Sequence, residues 1–145
     1  METIQDMLHG KVRLLVTARP EHTVLEATRR MNEEHVGAVL VMEGIRLVGI
    51  FTERDVLRRV VGAGLPPGQT LVADVMTPGL VCCSPEACVD DVAELMRSRR
   101  IRHVPVVDTE GFVVGLVSIG DMNAWRYSRC EVALHQVEDY VWRRA

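Results

Sequence analysis

The sequence predicts an α/β fold made of two copies of a β-α-β-β-α unit that bury their apolar faces on each other, followed by a terminal helix. Two observations carry this. The chain is written twice, and each copy changes from helical to strand periodicity at the same places. Thr23-Val24-Leu25-Glu26-Ala27 aligns with Cys88-Val89-Asp90-Asp91-Val92, which also places Pro20 on Pro85 and Met31 on Met96. Further on, Gly49-Ile50-Phe51-Thr52-Glu53-Arg54-Asp55 aligns with Gly115-Leu116-Val117-Ser118-Ile119-Gly120-Asp121. The offset grows from 65 to 66 between the two blocks, so the second copy holds one extra residue, expected near Arg102.

In each copy a short strand comes first, around Leu14–Val16 and Leu80–Cys82. Val24, Ala27 and Met31 then recur at the spacing of an amphipathic helix over 24–34, matched by Val89, Val92 and Met96. The β-branched runs Ala38–Met42 and Val104–Val107 read as buried strands. Glu43-Gly44 and Thr109-Glu110-Gly111 supply turns, and Leu47–Phe51 and Phe112–Val117 return as hairpin partners. A second helix opens at Glu53 and at Ile119. The Gly/Pro-rich stretch from Gly62 to Gly68 reads as a loop between the copies. The resulting division is 7–62 for the first repeat, 63–73 for the linker, 74–127 for the second repeat and 128–145 for the C-terminal helix. Cys130, Leu134, Val137 and Val141 form a short a/d-like seam on that helix, which fits either docking on its own module or dimerisation.

With 145 residues, 48% hydrophobic and 26% charged, the chain has the make-up of a soluble globular protein, and its formal net charge of −3 gives no general pull towards nucleic acid or anionic membranes. The acidic start Met1–Asp6 lacks the apolar core of a signal peptide, and no apolar run has membrane-spanning length. Cys82, Cys83, Cys88 and Cys130 contain no CxxC pair and make a poor disulfide framework, so a reducing cytoplasm is the simplest compartment.

The motif with chemical content is Thr52-Glu53-Arg54-Asp55, repeated as Ser118-Ile119-Gly120-Asp121. Taken alone it reads as a capping box, with the acid reaching back to the amide of the hydroxyl residue. Its place after a strand and at a helix start also suits a phosphate, and a carboxylate there can accept from both hydroxyls of a ribose. The two roles are compatible.

At these residues the chain resembles the cystathionine-β-synthase-type (CBS) domain-pair family. The resemblance is carried by the two motifs above, by Ile101-Arg102-His103-Val104-Pro105-Val106-Val107-Asp108 and by Asp74-Val75-Met76-Thr77-Pro78. It covers about Met7 to Trp125 and is similar to the stand-alone bacterial members. It implies two repeats packed with pseudo-two-fold symmetry and two clefts between them that take AMP, ADP, ATP or another adenosyl compound. It further implies that Asp55 and Asp121 hold ribose hydroxyls, with Thr52 and Ser118 beside the sugar or phosphate. Thr17-Ala18 and Gly37-Ala38 would line one adenine pocket, and Cys82-Cys83 with His103-Val104-Pro105 the other. Arg102 and His103 would lean towards a phosphate, across the repeat interface, and Arg54 would contact one in the first cleft. The implied role is regulatory, in a homodimer that signals to a client protein, without catalysis or a catalytic cofactor.

This chain departs from the family where Cys82-Cys83 replaces the common Thr-Val, and where Gly120 stands at the position of Arg54, so the two clefts are expected to differ. Thr17 and Arg54 favour the first repeat's cleft as the better site, although Arg102 and His103 belong to the second repeat. Arg97, Arg99 and Arg100 read as a solvated helix end. His9, His22, His35 and His135 read as structural or exposed. The rival readings are a thiol or metal sensor built on Cys82, Cys83 and Cys88, and a structural dimerisation module with vestigial clefts. Adjacent cysteines on a strand face opposite ways, which disfavours joint ligation. No nucleophile elbow, phosphate-binding Walker loop or metalloprotease pair is present.

Overall fold

The computed structural model describes residues 2–9 and 15–129, so the a/d-like seam from Cys130 onward lies outside the described residues. The elements in chain order are α1 (Ile4–His9), β1 (Thr17–Ala18), α2 (Val24–Glu34), β2 (Ala38–Glu43), β3 (Arg46–Thr52) and α3 (Glu53–Asp55). Helix α3 runs directly into a π-helical turn (Val56–Val61). Then come α4 (Val72–Val75), α5 (Val89–Arg99), β4 (His103–Val107), β5 (Val113–Ser118) and a helix over residues 119–129, here α6.

The helices form where the apolar periodicity demanded them. Val24, Ala27 and Met31 of α2 are buried, as are Val89, Val92, Ala93 and Met96 of α5. Thr23 caps α2 by accepting from the Glu26 amide at 3.2 Å, whereas its counterpart Cys88 makes no side-chain cap on α5. Both helices stop at a residue in the left-handed conformation, His35 and Arg100, each with φ of 55°. Glycine usually takes this position because other residues strain there.

Two hairpins follow in matching register. In the first, Ala38 pairs with Thr52 and Val41 with Gly49; in the second, His103 pairs with Ser118 and Val106 with Gly115. Bulges fall at equivalent places, between Val41 and Met42 and between Val106 and Val107. This register moves the extra residue of the second copy. Ala38 corresponds to His103 and Met42 to Val107, still at the smaller offset, while Leu47 corresponds to Val113 at the larger. The insertion therefore lies in the β4–β5 turn, not near Arg102. A turn absorbs a residue without flipping the faces of the strands, and a strand entry cannot.

The leading strands are shorter than expected and shifted. Thr17 and Ala18 pair in parallel with Leu40 and Val41. In the second copy only Cys83 bridges to Val106, donating to the Pro105 carbonyl at 3.0 Å and accepting from the Val107 amide at 2.9 Å.

Sequence periodicity did not reveal α1 or α4, and these exchange places. Helix α4 precedes the second repeat in sequence, yet Val72 and Val75 join the core of the first, with Val24, Met31, Val39 and Phe51. Helix α1 precedes the first repeat, yet Ile4 and Met7 join the core of the second, with Val89, Met96, Val104 and Val117. The backbone anchors repeat the symmetry: Val72 and Ala73 donate to the carbonyls of His22 and Pro20, and Ile4 and Gln5 to those of Ala87 and Pro85. A third apolar cluster joins the repeats, with Ala38, Leu40 and Ile50 packed against Leu80, Val113 and Leu116.

Candidate functional site

The strand-to-helix turns after β3 and β5 are held by capping boxes, as the motif predicted. Thr52 N donates to Asp55 Oδ2 at 3.0 Å and Asp55 N donates to Thr52 Oγ1 at 3.3 Å. Ser118 N donates to Asp121 Oδ2 at 2.9 Å and Asp121 N to Ser118 Oγ at 3.1 Å. Both carboxylates are buried, at 6% and 5% exposure, and that burial is tolerable because they are hydrogen-bonded. At the first turn the carboxylate has further partners. Thr77 Oγ1 donates to Asp55 Oδ1 at 3.2 Å, and the Arg59 guanidinium stands 3.7 Å from the same oxygen while donating to the Met76 carbonyl at 2.9 Å.

Each turn borders a cavity whose far wall belongs to the other repeat. The first cavity, about 550 Å³, holds Thr52, Arg54 and Asp55 on one side and Arg100, Ile101, Arg102 and His103 on the other. The second, about 210 Å³, holds Ser118 and Asp121 opposite His35, Val36, Gly37 and Ala38. The opposing walls are equivalent under the register above, so the clefts are related by the pseudo-two-fold. Gly37 and His103 reach both. Within each repeat the backbone ties the helix start to the strand entry: the Glu53 amide donates to the Gly37 carbonyl at 3.0 Å, and the Ile119 amide to the Arg102 carbonyl at 2.8 Å. Burial and then the adjacent Arg102 charge lower the pKa of His103 from 6.5, only partly opposed by Asp121 and Glu53, so the imidazole is held neutral at pH 7.

Of the residues singled out from sequence, Gly37, Ala38, Thr52, Arg54, Asp55, Arg102, His103, Ser118 and Asp121 line these cavities. Thr17, Ala18, Cys82, Cys83, Val104 and Pro105 do not. Ala18 and Val104 are spent in the cores, Pro105 is buried in β4, and Cys83 packs against the second core. Leu15 and Val16, just before the expected Thr17-Ala18 wall, line the second cavity instead. Sequence reasoning also missed Arg58, Arg59, Thr77 and His35. The basic run splits: Arg97 pairs with Glu94 at 2.8 Å on the surface, while Arg100 lines the first cavity. The available signal was the matching helix end, since His35 and Arg100 occupy the same place in the duplicate.

The geometry gives the adjacent Cys82 and Cys83 different surroundings. Cys82 is exposed and Cys83 half-buried, and burial together with Cys82 pushes the Cys83 thiol up to about 11. Among the described residues no group of three His, Cys, Asp or Glu side chains is placed to hold a metal ion.

Two repeats with crossed clefts find their match among known proteins. The sequence profile of the CBS domain fits residues 13–62 and 72–126. The chain belongs to the CBS domain family. The CBS domain-containing protein YhcV of Bacillus subtilis is 35% identical over 122 residues, covering 84% of each chain. Other relatives are longer, and the chain spans 52% of one and 20% of another. Among solved structures, a CBS domain protein designated NE2398 superposes with a TM-score of 0.83 at 35% identity, over 88% of this chain and 99% of that one. A CBS domain protein from Pyrobaculum aerophilum, complexed with AMP, superposes with a TM-score of 0.74 at 26% identity, over 83% of this chain and 89% of that one. Among the described residues of this CBS pair, no helix is long and apolar enough to cross a membrane.

Proposed function

We propose that this CBS pair is a regulatory module that binds an adenosine nucleotide (AMP, ADP or ATP) between its repeats and relays the binding through a homodimer to a client protein. The observation that carries the reading is the first cleft, where Thr52 and Asp55 of one repeat face Arg102 and His103 of the other across about 550 Å³. Small-molecule sites typically enclose about 300–1,000 Å³, so this cleft has the capacity and the second is small. Asp55 Oδ2 is taken by the amide and hydroxyl of Thr52, so Oδ1, which meets Thr77, is the acceptor for a ribose hydroxyl, and Arg102 supplies charge for phosphate. The AMP found in the Pyrobaculum aerophilum relative supports the ligand class. Because the ligand would touch both repeats, it would favour one relative placement of them, with a force limited to its differential affinity for the two arrangements. The reading assigns no catalytic step.

Calorimetric titration of nucleotide-stripped protein with AMP, ADP and ATP, beside Asp55→Asn and Asp121→Asn, tests it. Loss of binding in Asp55→Asn protein of unchanged fold is the expected result. Absence of heat with all three nucleotides in folded wild-type protein would sink the reading.

A further inference from the structure

The first cleft is lined by five arginines, Arg54, Arg58, Arg59, Arg100 and Arg102, in a chain of formal net charge −3. Arg59 is engaged with Asp55 and the Met76 carbonyl. The other four are exposed and, among the described residues, none makes an ion pair. They come from both repeats, so their charges converge on one cavity from opposite walls. Of the two lining carboxylates, Asp55 is already committed to the cap and to Arg59, and Glu53 stands against Gly37, where an added Cβ would meet its carboxylate carbon at 3.3 Å. The electrostatic balance at the mouth is therefore positive.

Arg100 adds an independent sign. It ends α5 with φ of 55°, where glycine is the unstrained choice. Strain kept at a cleft residue points to a use for its side chain.

We infer that the first cleft is a polyphosphate site that discriminates nucleotides by phosphate number, taking adenosine di- and triphosphate in preference to the monophosphate. The inference rests on the nucleotide reading above. A chain of two or three phosphates presents separate oxyanions to guanidinium groups on both walls, whereas a monophosphate offers one, and arginine is the side chain suited to such forked contacts. Part of the preference is screened by salt, because the guanidinium groups stand near solvent.

The test is calorimetric titration in magnesium-free buffer with adenosine, AMP, ADP and ATP, on wild-type protein and on Arg58→Ala, Arg102→Ala and Arg100→Gly. ATP should bind at least about tenfold tighter than AMP at low salt, a margin expected from one further charge-assisted contact, and the gap should narrow as salt rises. Arg58→Ala and Arg102→Ala should weaken ATP more than AMP. Arg100→Gly should weaken ATP while its thermal midpoint holds or rises, which separates a binding role from a structural one. AMP binding as tightly as ATP overturns the inference and leaves the nucleotide reading standing, as do variants that weaken every nucleotide equally or not at all. No binding by any nucleotide overturns both.

Discussion

The indole Nε1 of Trp125 donates to Glu2 Oε2 at 2.9 Å, joining residues 123 positions apart. Arg129 pairs with the same carboxylate and lays its guanidinium 5.2 Å from the Trp125 ring centre. Glu2 also offers its carbonyl to the Val89 amide at 3.0 Å, so it pins the start of the chain to α5 and α6 together. Trp125→Phe keeps an aromatic ring but leaves Glu2 without a half-buried donor. It should lower stability by about 1–2 kcal/mol, read as a shift in the urea midpoint. An unchanged midpoint would mean that solvent satisfies Glu2 equally well.

Gly49 is buried beneath Met76, and a Cβ built there would lie 2.5 Å from the Met76 Sδ and 3.2 Å from the Thr77 carbonyl oxygen. Gly115 has the equivalent relation to Leu8, at 2.8 Å. Gly49→Ala should therefore cost about 1–3 kcal/mol by overpacking. The cost should fall when Met76→Ala is added, a coupling that a double-mutant cycle in urea would measure. Strict additivity would show that the carbonyl, not the methionine, sets the limit.

Cys88 occupies the N-cap of α5 with φ of −68° and ψ of 135°, close to the capping geometry of Thr23, but makes no side-chain bond to the helix. Cys88→Ser should raise stability by about 0.5–1 kcal/mol, since a hydroxyl accepts from the free amides of the first turn. A thermal melt decides this, and a lower midpoint would show that the thiol's packing outweighs the missing cap.

The pKa of His103 is lowered from 6.5, mainly by burial and then by Arg102. As pH falls, the unfolded chain protonates this group first. Its contribution to stability is thus complete above pH about 6.5 and is lost as pH drops through the folded value. Urea midpoints measured from pH 8 to pH 5 should decline more steeply in the wild type than in His103→Gln. Parallel profiles would exclude His103 as the source. A bound phosphate would reverse the sign locally, so nucleotide affinity should rise as pH falls through the same window.

Iodoacetamide at pH 7.5, followed by peptide mapping, should label Cys82 well before Cys83. Burial raises both thiols, but Cys82 is exposed whereas Cys83 is held at about 11. Only the thiolate reacts. Equal labelling would show that the β4 edge opens readily around Cys83.

How far the fold was legible followed from where the information lay. Helices α2 and α5 were readable because Val24, Ala27 and Met31, and likewise Val89, Val92 and Met96, repeat at helical spacing over two turns. The capping boxes were readable because each is a contact three residues apart. Helix α1 was hidden because it is only six residues long, too short for periodicity to declare itself, and its partners lie in the other repeat. The displaced insertion was hidden for a related reason: strand register is set by cross-strand pairing, which a linear alignment cannot see. In the site, the acids were found through their motif. Arg58, Arg59 and Arg100 were not, because their convergence depends on how the two repeats meet and on the left-handed turn that ends α5.

The exchanged positions of α1 and α4 lace the two halves of the chain. Opening the exposed loop around Gly64 would leave an N-terminal fragment holding the α1 that the other needs, and a C-terminal fragment holding the α4 that the first needs. Each fragment alone would bare a groove lined by its own core. Mixed, they have reason to re-form the whole by complementation. Split in this way, the module becomes a natural two-part reporter, its halves mutually dependent and its clefts existing only when both are present.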